Sequence, residues 1–132
     1  MKNTIFKLTE YVYYFSLLVL LILYLFPGSL IGYLLYGNLS KQPNLIINPI
    51  GISINHLIFF SYITILTIIV RLRAKNILTN YRFILFISCV LEISHLIIPN
   101  RAFELNDLFA NSIGVIAAFS IFNIIKKLKK KL

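Results

Sequence analysis

Acidic residues are scarce. Four Asp and Glu stand against thirteen Lys and Arg, a formal net charge of +9. Tryptophan is absent, and there is one cysteine. A lone Cys89 excludes an intrachain disulfide and a cysteine-built zinc cluster. Inside an apolar run it reads as a small packing residue. The sequence also lacks a Gly-rich phosphate loop, a Ser-His-Asp ordering, a nucleotide motif and an internal repeat.

What the chain has is hydrocarbon. Hydrophobic residues make up 59% of the 132, and the mean hydropathy is +0.88. Soluble domains are about 45–50% apolar, and here the excess falls in long blocks. A membrane-spanning helix needs roughly 20 mostly apolar residues. Four blocks approach that length, at about residues 11–26, 52–70, 81–98 and 107–125. The expectation is an all-α, polytopic membrane domain of four transmembrane helices covering residues 1–132. Pro27 and Gly28 end the first block, Arg71 and Arg73 the second, Pro99 the third and the KKLKKK tail the fourth. Asn106 is the expected N-cap of the last helix, with Asp107 in its first turn. Residues 27–51, rich in Pro, Gly and Asn, read as an extramembrane loop. Leu30 to Tyr36 is too short to span and suits an interfacial turn, with Tyr33 and Tyr36 at the headgroups.

The basic charges orient the chain. Eleven of the thirteen Lys and Arg fall at the N-terminus, from Arg71 to Arg82 around the junction of the second and third blocks, and in the tail, leaving Lys41 and Arg101 on the other side. The positive-inside rule then puts both termini in the cytoplasm. Placed in short loops and tails, this charge is an orientation signal and not a nucleic-acid footprint, so no nucleic acid is expected as a partner. Lys2 and Lys7 with no A-x-A-like site predict a retained anchor over a cleaved signal peptide.

One stretch breaks the hydrocarbon pattern. LEISHLIIPNRAFELNDLFANSIG, residues 91–114, holds Glu92, His95, Arg101, Glu104, Asp107 and Asn111. At about 1.5 Å per residue, Glu92 lies about 10 Å and His95 about 6 Å below the outer boundary. Asn111 and, on the second block, His56 come to a similar depth of about 6 Å. A charge at the bilayer centre costs roughly 2.5–3.5 kcal/mol on insertion scales, so these groups are expected to face the bundle interior and pair. Asp107, Asn111 and Gly114 share one helix face, as do Glu92 and His95. Arg101 has Glu92, Glu104 and Asp107 as possible partners. Ala110, Gly114 and Ala118 form a row of small residues that allows close helix approach.

The same residues carry a family resemblance. Glu92, His95, Pro99, Arg101, Phe103, Asp107, Asn111 and Gly114 resemble, in type and spacing, the signature of the VanZ-like family. His56 and Phe60 match that family's second-span motif, whereas Ile52 and Ser53 stand where Asp and Lys are expected. The resemblance implies a small bacterial multi-span protein of the cytoplasmic (inner) membrane. The family is named for a member linked to low-level teicoplanin resistance.

The leading expectation is a cell-envelope protein with a polar outer-leaflet pocket that binds or modifies a lipid-linked or surface polar group. Its partners would be membrane lipids or a lipid-linked envelope precursor. Arg101 would hold an anionic headgroup, Asp107, Asn111 and His56 would orient it, and Glu92 or His95 would accept a proton if there is chemistry. The alternative is a non-catalytic accessory subunit or assembly factor, with membrane-protein subunits as partners. No cofactor and no metal are expected. Glu-x-x-His is a ligand spacing of di-iron bundles, but those need two copies and this chain has one.

Overall fold

The computed structural model describes residues 2–43 and 53–130, with side chains from residue 4 onward. The expected start of the second span at Ile52, the loop over 44–51 and Lys131 lie outside the described residues. Those described form five helices and no strand: α1 (Lys2–Leu25), α2 (Leu30–Tyr36), α3 (Ile54–Arg71), α4 (Tyr81–Ser94) and α5 (Leu105–Leu128). Three of them, over Thr4–Leu25, Ile54–Arg71 and Leu105–Leu128, are long and apolar enough to cross a membrane. Their outer faces leave Leu18, Ile22, Ile116, Ile121 and Ile124 exposed, as a lipid-facing surface requires.

α1 starts at Lys2, nine residues before the expected residue 11, and stops at Leu25, just before Pro27. Pro27 lacks an N–H and cannot continue the ladder, and Gly28 takes the left-handed region at φ +86°. The expected interfacial turn is a two-turn helix, α2. The Ser29 hydroxyl accepts from the Gly32 N–H, and Gly37 at φ +64° closes its other end. Gly32 packs so closely under Lys41 that a Cβ would lie 1.7 Å from the Lys41 carbonyl oxygen. Residues 38–43 therefore fold back over α2.

α4 is shorter than the apolar run that contains it. Fourteen residues reach only about 21 Å at the α-helical rise, against a hydrocarbon core of about 30 Å. Its end tightens into three-residue turns, with His95 N–H donating to Glu92 O, Leu96 to Ile93 and Ile97 to Ser94 at 3.0–3.1 Å. Leu96 to Ile98 are apolar in sequence but not helical. α5 begins at Leu105, capped by Glu104 with no side-chain hydrogen bond. The expectation of Asn106 as N-cap is corrected: it sits inside the first turn. Asp107 is in that turn, as expected.

α3 is the hub, packed against α1, α4 and most extensively α5. The α3–α5 seam uses the small-residue row, for Ala110, Gly114 and Ala118 are all buried. A Cβ on Gly114 would lie 2.6 Å from the Leu57 carbonyl oxygen, and Ser61 donates to the Gly114 carbonyl at 3.2 Å. Tyr13, Leu20, Phe60, Ile63, Ile84 and Val115 fill the core. Buried Thr64 and Thr67 return their hydroxyls to Phe60 O and Ile63 O, both at 2.8 Å, so neither leaves an unpaired donor in an apolar interior.

The two ends of the bundle differ. At one, Arg73 lies 4.0 Å over the Phe6 ring, Tyr13 donates to the Leu78 carbonyl, and Tyr81 stacks on Phe119. These contacts gather the start of α1, the 72–80 loop and the latter half of α5, with most of the described basic residues. At the other end, the close of α1 meets the 95–104 segment and the start of α5.

Candidate functional site

The polar residues of 91–114 meet at that second end. The Asp107 carboxylate reaches His56 Nε2 on α3 at 3.5 Å. The Asn111 carbonyl oxygen, one turn further along α5, lies 3.1 Å from His56 Nδ1. From α4, Glu92 Oε1 lies 3.3 Å from His95 Nδ1 and accepts from the Glu104 N–H at 3.4 Å. The short, non-helical connection brings that N–H back over Glu92, an effect no helical periodicity contains. Glu92 and Asn111 are fully buried, and His56 and His95 nearly so.

Sequence reasoning missed the residue at the centre. Tyr24, from the last turn of α1, places its hydroxyl 2.7 Å from His56 Nδ1 and donates to Asn111 Oδ1 at 3.2 Å. Its ring stacks on His95 at 5.3 Å between centroids, with planes 15° apart. Its carbonyl oxygen lies 3.3 Å from His95 Nε2. The signal was a tyrosine among aliphatics, three residues before the proline that ends the first apolar block. A tyrosine near a span end suits the headgroup region equally well, so its burial came only from helix packing.

Arg101 differs from expectation. It pairs with no acid among the described residues. Its guanidinium instead donates to the carbonyl oxygens of Leu23 and, at 3.4 Å, Phe26. The reason lies in α1, whose last carbonyls have no intrahelical partner and form the negative end of the helix dipole. A basic side chain there satisfies them. Burial lowers the Arg101 pKa from its ordinary value, against opposing pulls from Tyr24, Glu92 and Asp107; a guanidinium stays charged regardless. Both acids are left facing histidines: Glu92 meets His95, and Asp107 meets His56. The Glu104 side chain is exposed, and it is its main-chain N–H that meets Glu92.

Two cavities open beside this cluster. One, of about 260 Å³, has apolar walls that include Leu20, Leu23, Ile31, Leu35 and Phe59, with Tyr24 and His56 also lining it. The other, of about 160 Å³, is lined by polar groups that include Asn100, Glu104 and Asp107. Ser29, Gln42, His95 and Arg101 line both. An apolar chamber and a polar one thus share a wall that carries a permanent positive charge.

Comparison of the chain with protein-family models, with curated proteins and with solved structures finds no match.

Proposed function

We propose that this protein binds a lipid-linked or surface polar group, with the apolar part of the ligand against α1 and α3 and its head at Arg101. The observation that carries this reading is the shared wall of the two cavities. An amphipathic ligand needs an apolar chamber joined to a polar one, and a charged donor at the junction selects an anionic head. Arg101 uses two of its five N–H donors on the α1 carbonyls. Its charge and remaining donors suit a phosphate. Asp107, Asn111 and His56 orient the head, and Glu92 or His95 is the proton acceptor if a bond is broken.

The same reading takes α4 and the turns after it as a fourth span and both termini as cytoplasmic, on the charge asymmetry. It places the cluster in the outer leaflet of a bacterial cytoplasmic membrane. The VanZ-like resemblance rests on the signature residues alone and agrees with an envelope role. A second reading, an accessory subunit whose polar cluster only fastens α1, α4 and α5, draws on Arg101's bonds to main-chain carbonyls.

Native mass spectrometry of the wild type and of Arg101→Ala separates the two. A phosphate-headed lipid retained by the wild type and lost from a folded Arg101→Ala supports the pocket. A complex with other subunits that carries no specific lipid and ignores the substitution overturns it in favour of the accessory role.

A further inference from the structure

The most unusual grouping in the molecule is one that sequence spacing does not show. His56, Glu92 and Asp107 come from three helices, and one ligand atom from each lies within 4.8 Å of the others. From this geometry we infer that His56, Glu92 and Asp107 bind a divalent transition-metal ion, Zn²⁺ or Mn²⁺. The inference goes beyond lipid binding and stands without it.

Three observations carry it. The first is an unmatched oxygen. Glu92 is fully buried, its Oε1 is engaged by His95 and the Glu104 N–H, and its Oε2 has no hydrogen-bond partner among the described residues. A buried carboxylate oxygen without a donor is costly, and a cation removes that cost. The second is charge. Two carboxylates and one imidazole stand together, while the nearby guanidinium is hydrogen-bonded to main-chain carbonyls of α1. A divalent ion neutralises both carboxylates at once.

The third is the support behind His56 and Glu92. The Nδ1 side of His56 is met by Tyr24 Oη and Asn111 Oδ1 at 2.7 and 3.1 Å. A proton on Nδ1 donated to these oxygens leaves Nε2 with a bare lone pair facing the Asp107 oxygen at 3.5 Å. Two acceptors facing each other need a cation or a proton between them. Adjacent ligands on a tetrahedral zinc, with bonds of about 2.0–2.1 Å, stand roughly 3.3 Å apart, close to that separation. A hydrogen bond on the far nitrogen of a ligand histidine, and one on the far oxygen of a ligand carboxylate, is the usual outer-shell arrangement. Imidazole with carboxylates suits zinc or manganese, and three protein ligands leave a coordination position open. This revises the expectation of no metal. That expectation weighed Glu92 with His95 and allowed that His56 could join at a distance the sequence does not fix; the fold brings His56 and Asp107 to Glu92.

The test uses the full chain in detergent, purified without a histidine tag, stripped with chelator and then exposed to Zn²⁺ or Mn²⁺ alone. The expected result is about one ion per chain by elemental analysis and a higher melting temperature with the ion. Glu92→Gln and Asp107→Asn, each nearly isosteric, should weaken binding by more than the roughly 10–100-fold typical of an outer-shell change. Cys89→Ala should bind as the wild type does. If a carboxylate variant does not fold, the wild-type stoichiometry decides alone. Stripped wild type that takes up neither ion, or folded carboxylate variants that bind as well as wild type, would overturn the site. Lipid retention is measured separately on the stripped wild type, so failure to take up an ion and failure to retain a lipid are told apart.

Discussion

Tyr24 shows how much one side chain can organise. Its hydroxyl joins His56 to Asn111 and its ring covers His95, so three helices and the turn after α4 meet on one residue. Tyr24→Phe keeps the ring and removes the oxygen. It should destabilise the fold by about 1–3 kcal/mol, the cost of leaving buried polar partners unsatisfied. Thermal melting in detergent checks this. The same change should weaken ion binding about 10–100-fold, because His56 loses its outer-shell partner. Unchanged ion affinity would show that the hydroxyl does not hold His56 in place. Arg101 differs in kind. Arg101→Lys keeps the charge but not the planar fork that reaches both Leu23 O and Phe26 O, so it should retain less lipid than the wild type in native mass spectrometry. Equal retention would mean that a point charge is enough.

Among the elements, the α3–α5 seam is the tightest. Gly114→Ala forces a Cβ to within 2.6 Å of Leu57 O and 3.2 Å of Ser61 N. Both are main-chain atoms and cannot swing aside. Overpacking of this kind costs about 1–3 kcal/mol, and the melting temperature should fall. The variant should also lose ligand and ion together, since Asp107 and Asn111 ride on α5 and His56 on α3. An unchanged melting temperature would mean the seam can open without loss. α4 shows a different limit. Hydropathy marked one continuous run to Ile98, because Leu96, Ile97 and Ile98 are as apolar as the helix before them. Hydropathy measures solvent preference and not backbone geometry, and Pro99 disfavours a helical conformation in the residue before it. The chain leaves the helix at Ser94 and wraps Glu104's N–H onto Glu92.

For the molecule as a whole, the decisive question is which end faces which side. Cysteine labelling on a Cys89→Ala background answers it. Lys41→Cys, beside the polar end, should react with an impermeant maleimide from outside intact cells. Lys75→Cys, in the basic loop between α3 and α4, should react only after permeabilisation. The reverse pattern would invert the orientation and put the polar cluster in the inner leaflet.

The sequence by itself determined the helical class, the long apolar helices α1, α3 and α5, the small-residue row of α5 and the crowding of costly groups at one level. These follow from local properties: hydrophobic length, helical period and the position of Pro and Gly. Tertiary structure alone decided the partners. It turned Arg101 from the acids to the α1 carbonyls, brought Tyr24 into the centre, and set Glu92 beside His56 and Asp107. Partner choice depends on which helix ends are left with unsatisfied carbonyls and on how closely three helices approach, and neither is written in the spacing of any one segment.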